Sequence, residues 1–228
     1  MVKLINYLED WDWLIILDAC RYDYFVKVWG YGITEPRLSL ASDTLGTLRK
    51  MPAIPDSVLV TGHPFPLLFK DKFTRVVDVG FDMELGTCPP SYIVNYVREN
   101  YPFLMRFKRR ILWFLQPHHP YLGETKFELK IFDDRYEGGM TPVDKCIEAF
   151  IEAKRKGILE KAYMDNLKFV LRYVESLLRT INGTVVITSD HGEGLGQPLR
   201  KEDPPVFYHP PDRGEWEVRL IPYCVLWV

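Results

Sequence analysis

Late in the chain, the segment Thr184–Glu193 reads TVVITSDHGE: a β-branched apolar run that delivers an adjacent carboxylate and imidazole, Asp190 and His191, into a glycine turn. An oxygen and a nitrogen ligand side by side suit a divalent cation. The same Asp-His-Gly turn can also be purely structural, with Asp190 capping whatever follows. A second anchor strengthens the chemical reading. Near the amino end, the apolar run Trp13–Leu17 ends on Asp18, and open parallel sheets bind ligands beyond the carboxyl ends of their strands. All five histidines adjoin a proline or glycine: His63, His118, His119, His191 and His209. That places them in loops, where an imidazole is more available to a ligand than on an apolar helix face.

The elements that must position these groups follow from the hydrophobic pattern. Trp13–Leu17 is continuous rather than alternating, as in a strand buried on both faces. Similar runs at Ser57–Val60, Arg75–Val79, Ile111–Leu115 and Thr184–Thr188 are separated by stretches long enough for helices. This alternation predicts an α/β fold with a mostly parallel sheet, which Arg219–Val228 is expected to close. The spacing of Ala162, Leu167, Val170, Leu171, Val174, Leu177 and Leu178 predicts a helix over Leu159–Ile181, stopped by Asn182 and Gly183. A second helix is expected over Met140–Lys156, with Thr141 and Pro142 in the cap and first-turn positions. Met51–Pro55 and Asp203–Pro211 read as loops from their prolines.

With 228 residues and no linker-like tract, one domain spanning 1–228 is expected. A net charge of -2 argues against nucleic acid or an anionic membrane as the main partner. No apolar run is long enough to span a bilayer, and the opening residues lack the pattern of a signal peptide. Cys20, Cys88, Cys146 and Cys224 show no paired spacing, which suggests neither a zinc ribbon nor a disulfide framework and leads to the expectation of a reducing, cytoplasmic setting.

Taken together, ILDACRYD, FLQPHHPY, and ITSDHGE followed by YHP resemble the alkaline phosphatase superfamily, and within it the small sulfatase-like proteins. The resemblance runs from Leu14 to roughly Pro222 and is thinnest over Phe127–Glu160. It implies a three-layer α/β/α fold around a mostly parallel sheet. It also implies transfer of a phosphoryl or sulfuryl group from a small-molecule, glycan or lipid ester to water or another acceptor. Asp18, Thr44, Asp190 and His191 match the family's ligands for one divalent metal, with zinc and manganese both suited to such a set. His209 matches a residue that binds a second metal or the substrate oxygens. His118 and His119 match the family's histidines beside the leaving group or a second metal, and either is expected to protonate the departing oxygen.

Within LSLASDTLGTL the hydroxyls are Ser39, Ser42, Thr44 and Thr47. Thr44 is taken as nucleophile because it opens a predicted helix, Thr44–Lys50, whose free N–H groups favour a phosphate. Ser42 is the alternative, as a nucleophile, a substrate-binding group or the helix cap. Arg21 offers a guanidinium fork to substrate oxygens, or else pairs with Asp23 to tie the first helix to the sheet. Cys88, Pro89, Pro90 and Ser91 imitate the sulfatase signature in which cysteine becomes formylglycine, but Tyr92 stands where arginine is required and Cys88 lies far beyond Asp18. That segment reads instead as a loop entering a helix over Ser91–Arg98. His63, in VTGHPF, is expected near the rim of the site. Pro64–Phe73, Tyr121–Tyr136 and Leu195–Phe207 are expected to shape substrate choice. A competing expectation from the same resemblance is a catalytically silent binding module in cell-surface glycan or lipid assembly. A mutase of the phosphoglycerate type is disfavoured, because the extra metal ligands of such enzymes are missing.

Overall fold

The computed structural model describes residues 2–130, 135 and 139–228. Strand β1 (Lys3–Leu4) is followed by β2 (Trp13–Leu17), helix α1 (Tyr22–Val28), β3 (Ile33–Leu38), α2 (Thr44–Lys50) and β4 (Ile54–Thr61). Then come β5 (Phe73–Asp78), α3 (Pro90–Glu99), the one-turn α4 (Tyr101–Leu104) and β6 (Arg109–Phe114). The remainder is α5 (Val143–Arg155), α6 (Leu159–Leu178), β7 (Thr184–Thr188), the short pair β8 (Gly194–Leu195) and β9 (Phe207–Tyr208), α7 (Trp216–Arg219) and β10 (Leu220–Trp227).

Eight strands form one sheet in the order β1-β3-β10-β7-β2-β6-β4-β5. Strands β7, β2, β6, β4 and β5 run parallel, and β10 is antiparallel to both neighbours, β7 and β3. The period-two alternation of side chains sorts β2 onto two faces. Trp13, Ile15 and Leu17 join a core with residues of α1, α3, α5 and α6, whereas Leu14 and Ile16 join a second core with Leu48 of α2 and with Tyr7 and Trp11. The molecule is therefore a three-layer α/β/α structure, with most helical mass on one face. Every residue of β2 is buried, each apolar side chain contributing about 1.5–3 kcal/mol relative to exposure.

The predicted strands and helices are present, with shifts at their ends. β10 does not close the sheet at an edge; it inserts between β7 and β3. β3 has no counterpart in the sequence reading, because ITEPRL carries a proline and charges and is half-exposed along its length. Thr141 does not cap α5. Pro142 occupies the cap position without a side-chain bond, and Thr141 donates instead to the Lys130 carbonyl at 2.6 Å. Part of the 121–136 loop lies outside the described residues.

What the sheet does for chemistry is geometric. Leu17, Thr61, Phe114 and Thr188 end parallel strands at one edge, so the residues after them, Asp18, His63, His118 and Asp190, emerge together. β10 starts from that same edge, which brings the preceding loop with His209 back over it.

Candidate active site

Asp18 stands on a turn that must reverse sharply, since Ala19 adopts a positive φ of 59°, a conformation unfavourable for a residue with a Cβ. The turn is held from outside. Cys20 N donates to Ser189 Oγ at 2.8 Å, Tyr163 Oη donates to the Ala19 carbonyl at 2.7 Å, and Arg21 N donates to Tyr163 Oη at 2.8 Å. Ser189 Oγ also lies 2.6 Å from the carbonyls of both Leu17 and His191, linking the ends of β2 and β7. Neither Ser189 nor Tyr163 was singled out from sequence. The available signal for Tyr163 is a tyrosine on the apolar face of α6, where a buried hydroxyl requires a partner.

Asp18, Asp190 and His191 come together, each offering a ligand atom within 4.8 Å of the others'. His191 Nε2 is 3.3 Å from Asp18 Oδ1, 3.5 Å from Asp190 Oδ2 and 3.2 Å from Thr44 Oγ1. Nδ1 of His191 donates to the Gly192 carbonyl at 2.7 Å, so Nε2 is the nitrogen that faces the carboxylates. Asp18 Oδ1 and Asp190 Oδ2 are buried and receive no hydrogen bond from the described residues. Two unsatisfied carboxylate oxygens, an imidazole nitrogen and a hydroxyl converging in a buried space fit a small divalent cation.

The electrostatics state the same need for positive charge. Burial, joined by the Asp18 charge, pushes Asp190 up to about 6. Asp18 feels the upward push of burial too, yet the imidazoles of His118, His191 and His63 hold it well below the usual carboxylate range. His191 is pushed down by burial but raised by Asp190 and Asp18, to about 10. Without a cation, a proton on His191 Nε2 fills the role the cation would take.

The structure separates the four hydroxyls. Thr44 begins α2, and the cap is Asp43, whose carboxylate accepts from Gly46 N at 2.8 Å. Thr47 donates to the Asp190 carbonyl at 2.9 Å and so docks α2 onto the end of β7. Ser39 donates to the Ala41 carbonyl at 2.5 Å. Ser42 is not the cap, and its hydroxyl is engaged elsewhere: it donates to the Pro210 carbonyl at 2.8 Å and accepts from Arg213 N at 3.0 Å. Of these four, Thr44 alone reaches the cluster.

The remaining histidines form a second group beside the first. His209 Nδ1 is 3.0 Å from Glu193 Oε1, and His118 Nδ1 is 2.5 Å from the His119 carbonyl, so the two Nε2 atoms face each other at 3.3 Å. Glu193, the last residue of TVVITSDHGE, is fully buried, and burial pushes it up to about 8. Burial pushes His118 down to about 4 and drives His119 and His209 well below the ordinary imidazole range. His119 is not brought to the cluster. Its ring nitrogens have no partner among the described residues, and it packs among His118, Tyr208 and Phe150 at centroid distances of 4.2, 5.4 and 6.0 Å. His63 is not at the rim: its Nε2 lies 2.9 Å from Asp18 Oδ2.

Arg21 takes the structural alternative. It is fully buried, with Nε and Nη2 forked onto Asp23 at 2.9 and 3.0 Å and Nη1 donating to the Glu193 carbonyl at 3.2 Å. Those donors are directed at protein, not at a ligand. Access to the cluster follows the exposure. Asp18, Asp190 and His191 are 0–1% exposed, whereas Thr44, His118 and His209 retain 6–8%, so a ligand arrives past these three. A hollow of ≈ 560 Å³ lined by Tyr31, Glu175 and Trp227 lies at the opposite edge of the sheet and holds no comparable cluster.

Cys88 sits in the loop entering α3, buried against Gly62, where any Cβ would come within 2.5 Å of its sulfur. Burial pushes the Cys88 thiol up to about 12 and Cys146 to about 11, and raises Cys20 and Cys224. The native protein should take up no iodoacetamide at pH 7–8 within an hour, because only thiolate reacts. Rapid single-site alkylation on intact-mass analysis would contradict this.

No family model matches the chain, and no curated protein matches it. Solved structures do. Lipooligosaccharide phosphoethanolamine transferase A (EptA) of Neisseria meningitidis, an integral membrane protein, superposes with a TM-score of 0.57 at 11% identity, over 98% of this chain and 50% of that one. The lipoteichoic acid synthase LtaP of Listeria monocytogenes gives 0.54 at 11% identity, over 98% of this chain and 68% of that one. The C-terminal periplasmic domain of EptC from Escherichia coli, in complex with zinc, gives 0.51 at 13% identity, over 94% and 72%. The chain thus has the alkaline-phosphatase-like fold that its motifs resemble, and it spans half the length of EptA. The cytoplasmic expectation is corrected by these likenesses to a membrane protein and a periplasmic domain. Its premise fails physically as well. Each of the four free cysteines is buried, so unpaired thiols report shielding rather than compartment. Among the described residues no helix is long and apolar enough to cross a membrane.

Proposed function

We propose that this chain is a metal-dependent enzyme that transfers a phosphoryl-type group from an ester to water or an acceptor hydroxyl through a covalent phosphothreonine at Thr44. The observation that carries the reading is the convergence of Thr44 Oγ1 with His191 Nε2, at 3.2 Å, beside two carboxylates that each leave one buried oxygen without a partner among the described residues. Asp18, Asp190, His191 and Thr44 would hold the cation. Bound there, a divalent ion supplies Lewis acidity that lowers the cost of ionising the threonine hydroxyl. Zinc is favoured by the zinc complex of the EptC domain, and manganese fits the same ligands.

The residues of the chain account for the steps. Thr44 Oγ1 attacks phosphorus in line and forms the O–P bond while the bond to the leaving oxygen breaks; the hydroxyl proton passes to solvent. The leaving oxygen needs a proton. Burial keeps His118 and His209 neutral, and because His118 Nδ1 donates to a carbonyl, its Nε2 lone pair faces His209 Nε2 across 3.3 Å. An incoming anion offsets that burial penalty, so one proton shared by the pair enters with the substrate and passes to the leaving group. In the second half, water or an acceptor hydroxyl returns a proton to the pair and attacks phosphorus as the Thr44 O–P bond breaks, and Thr44 Oγ1 regains its proton from solvent. His118 takes the role that sequence alone divided between His118 and His119. The pair is also where a second cation would bind.

Phosphate esters carried by lipids or glycans are the favoured substrates, in line with the names of EptA and LtaP. A panel of aryl phosphate monoesters, bis-aryl phosphates and aryl sulfates, assayed with zinc or manganese, tests the reading. Turnover of a phosphate ester that requires added metal is the expected result. Silence on the whole panel would instead favour a binding module.

A further inference from the structure

Neither the metal cluster nor the proton pair absorbs His63 or His119, and of these two only His63 touches a residue of the cluster. It follows β4, two strands away from β2, and leans across Trp113 of β6, with ring centroids 6.2 Å apart, to reach Asp18. Its backbone is pinned: His63 N donates to Thr61 Oγ1 at 2.9 Å, and Thr61 Oγ1 donates to the Trp113 carbonyl at 2.9 Å. Its ring is oriented as well, because Phe65 N donates to His63 Nδ1 at 3.2 Å.

That last bond fixes the tautomer. A nitrogen that accepts from a backbone N–H carries no hydrogen, so the neutral ring bears its proton on Nε2. His191 and His118 are the reverse: their Nδ1 atoms donate to carbonyls, so Nε2 is the nitrogen whose lone pair a cation can claim. The chain therefore holds two ligand-type imidazoles and one donor-type imidazole around the same aspartate. We propose that His63 is a positioning residue, a tautomer-locked donor that holds Asp18 Oδ2 so that Oδ1 faces Asp190, His191 and Thr44. The proposal rests on reading Asp18, Asp190 and His191 as a cation site. Nε2 approaches Oδ2 to 2.9 Å, a close polar contact in which the N–H is not fully aligned on the oxygen. Asp18 Oδ1, 3.3 Å from His191 Nε2, remains unpartnered and available. Fixing one carboxylate oxygen leaves the other as a single, oriented ligand and removes the rotational freedom that would otherwise be lost on binding.

The test uses the full chain and zinc alone, with affinity measured by competition against a chromogenic chelator. His63→Ala should weaken zinc binding by about 10- to 100-fold, whereas His63→Gln, whose amide N–H₂ can occupy the place of Nε2, should stay within about threefold of the native chain. With cobalt replacing zinc, the visible absorption bands of His63→Gln should match those of the native chain, because no ligand has changed. His63→Leu, which also lacks a donor, replaces His63→Ala if the latter does not fold. Equal zinc affinity in the native and donor-free chains would overturn the proposal while leaving the cation site intact. Shifted cobalt bands in His63→Gln, or affinity as weak as in His63→Ala, would overturn it by making His63 a ligand itself. Failure of the native chain to bind zinc would remove the cation site and this inference with it.

Discussion

Thr44→Ala lowers turnover by about a thousandfold or more, as loss of a nucleophile does when no neighbour can replace it. No neighbour can. Ser39, Ser42 and Thr47 each direct their hydroxyls at backbone carbonyls rather than at the cluster. Cation binding in the variant should survive, because Asp18, Asp190 and His191 remain. Ser42→Ala is the informative companion: it removes a bond to Pro210 and frees Arg213 N, which costs stability but leaves the reacting atoms in place. Its kcat should stay within about tenfold of native, a margin of ~1.4 kcal/mol in the barrier. Steady-state kinetics on both variants, with metal content measured in parallel, decide the matter. The reverse order of effects would make Ser42 the nucleophile.

Adding zinc or manganese to chelator-stripped protein raises Tm by about 5–11 °C when the free cation stands a hundredfold above its Kd. This follows from roughly 2.7 kcal/mol of linkage and a shift of about 2–4 °C per kcal/mol for a chain of this size. The cause is local: Asp18 and Asp190 are buried together, and Oδ1 of one and Oδ2 of the other have no partner. Asp190→Asn removes a ligand charge and should abolish most of the rise. The sign of the pH dependence follows from the same groups. Asp190, pushed up to about 6, and His191, pushed up to about 10, carry protons that an entering cation must displace. Affinity therefore increases as pH rises through this window and is lost in acid. Scanning fluorimetry across pH, with and without metal, checks both statements. A Tm indifferent to divalent ions would contradict them.

The legible part of the site was the part written as strand ends. WLIIL before Asp18 and TVVIT before Ser189 are apolar without alternation, so their burial, their parallel setting and the exit of Asp18 and Asp190 at one edge could be read from pattern alone. Thr44 was legible because the helix it opens is marked by its own sequence, although Asp43 rather than Ser42 proved to be the cap. Contacts set by tertiary approach were not legible. His63 lies 45 positions after Asp18 and touches it only because β4 and β2 flank β6. Glu193 takes on a role only once the β8–β9 pairing folds His209 back onto it. Arg21 illustrates the converse. Both of its readings were open from spacing, and its complete burial against Asp23 and Glu193 selects the structural one. β3 escaped because a half-exposed strand with Pro36 has no hydrophobic period to detect.

The central claim is that Asp18, Thr44, Asp190 and His191 converge on one cation. It is tested most directly by anomalous diffraction from crystals grown with zinc or manganese. The account predicts a strong peak within coordination distance of one carboxylate oxygen from each aspartate, Nε2 of His191 and Oγ1 of Thr44. A peak elsewhere, with these four side chains hydrogen-bonded only to one another, would contradict it.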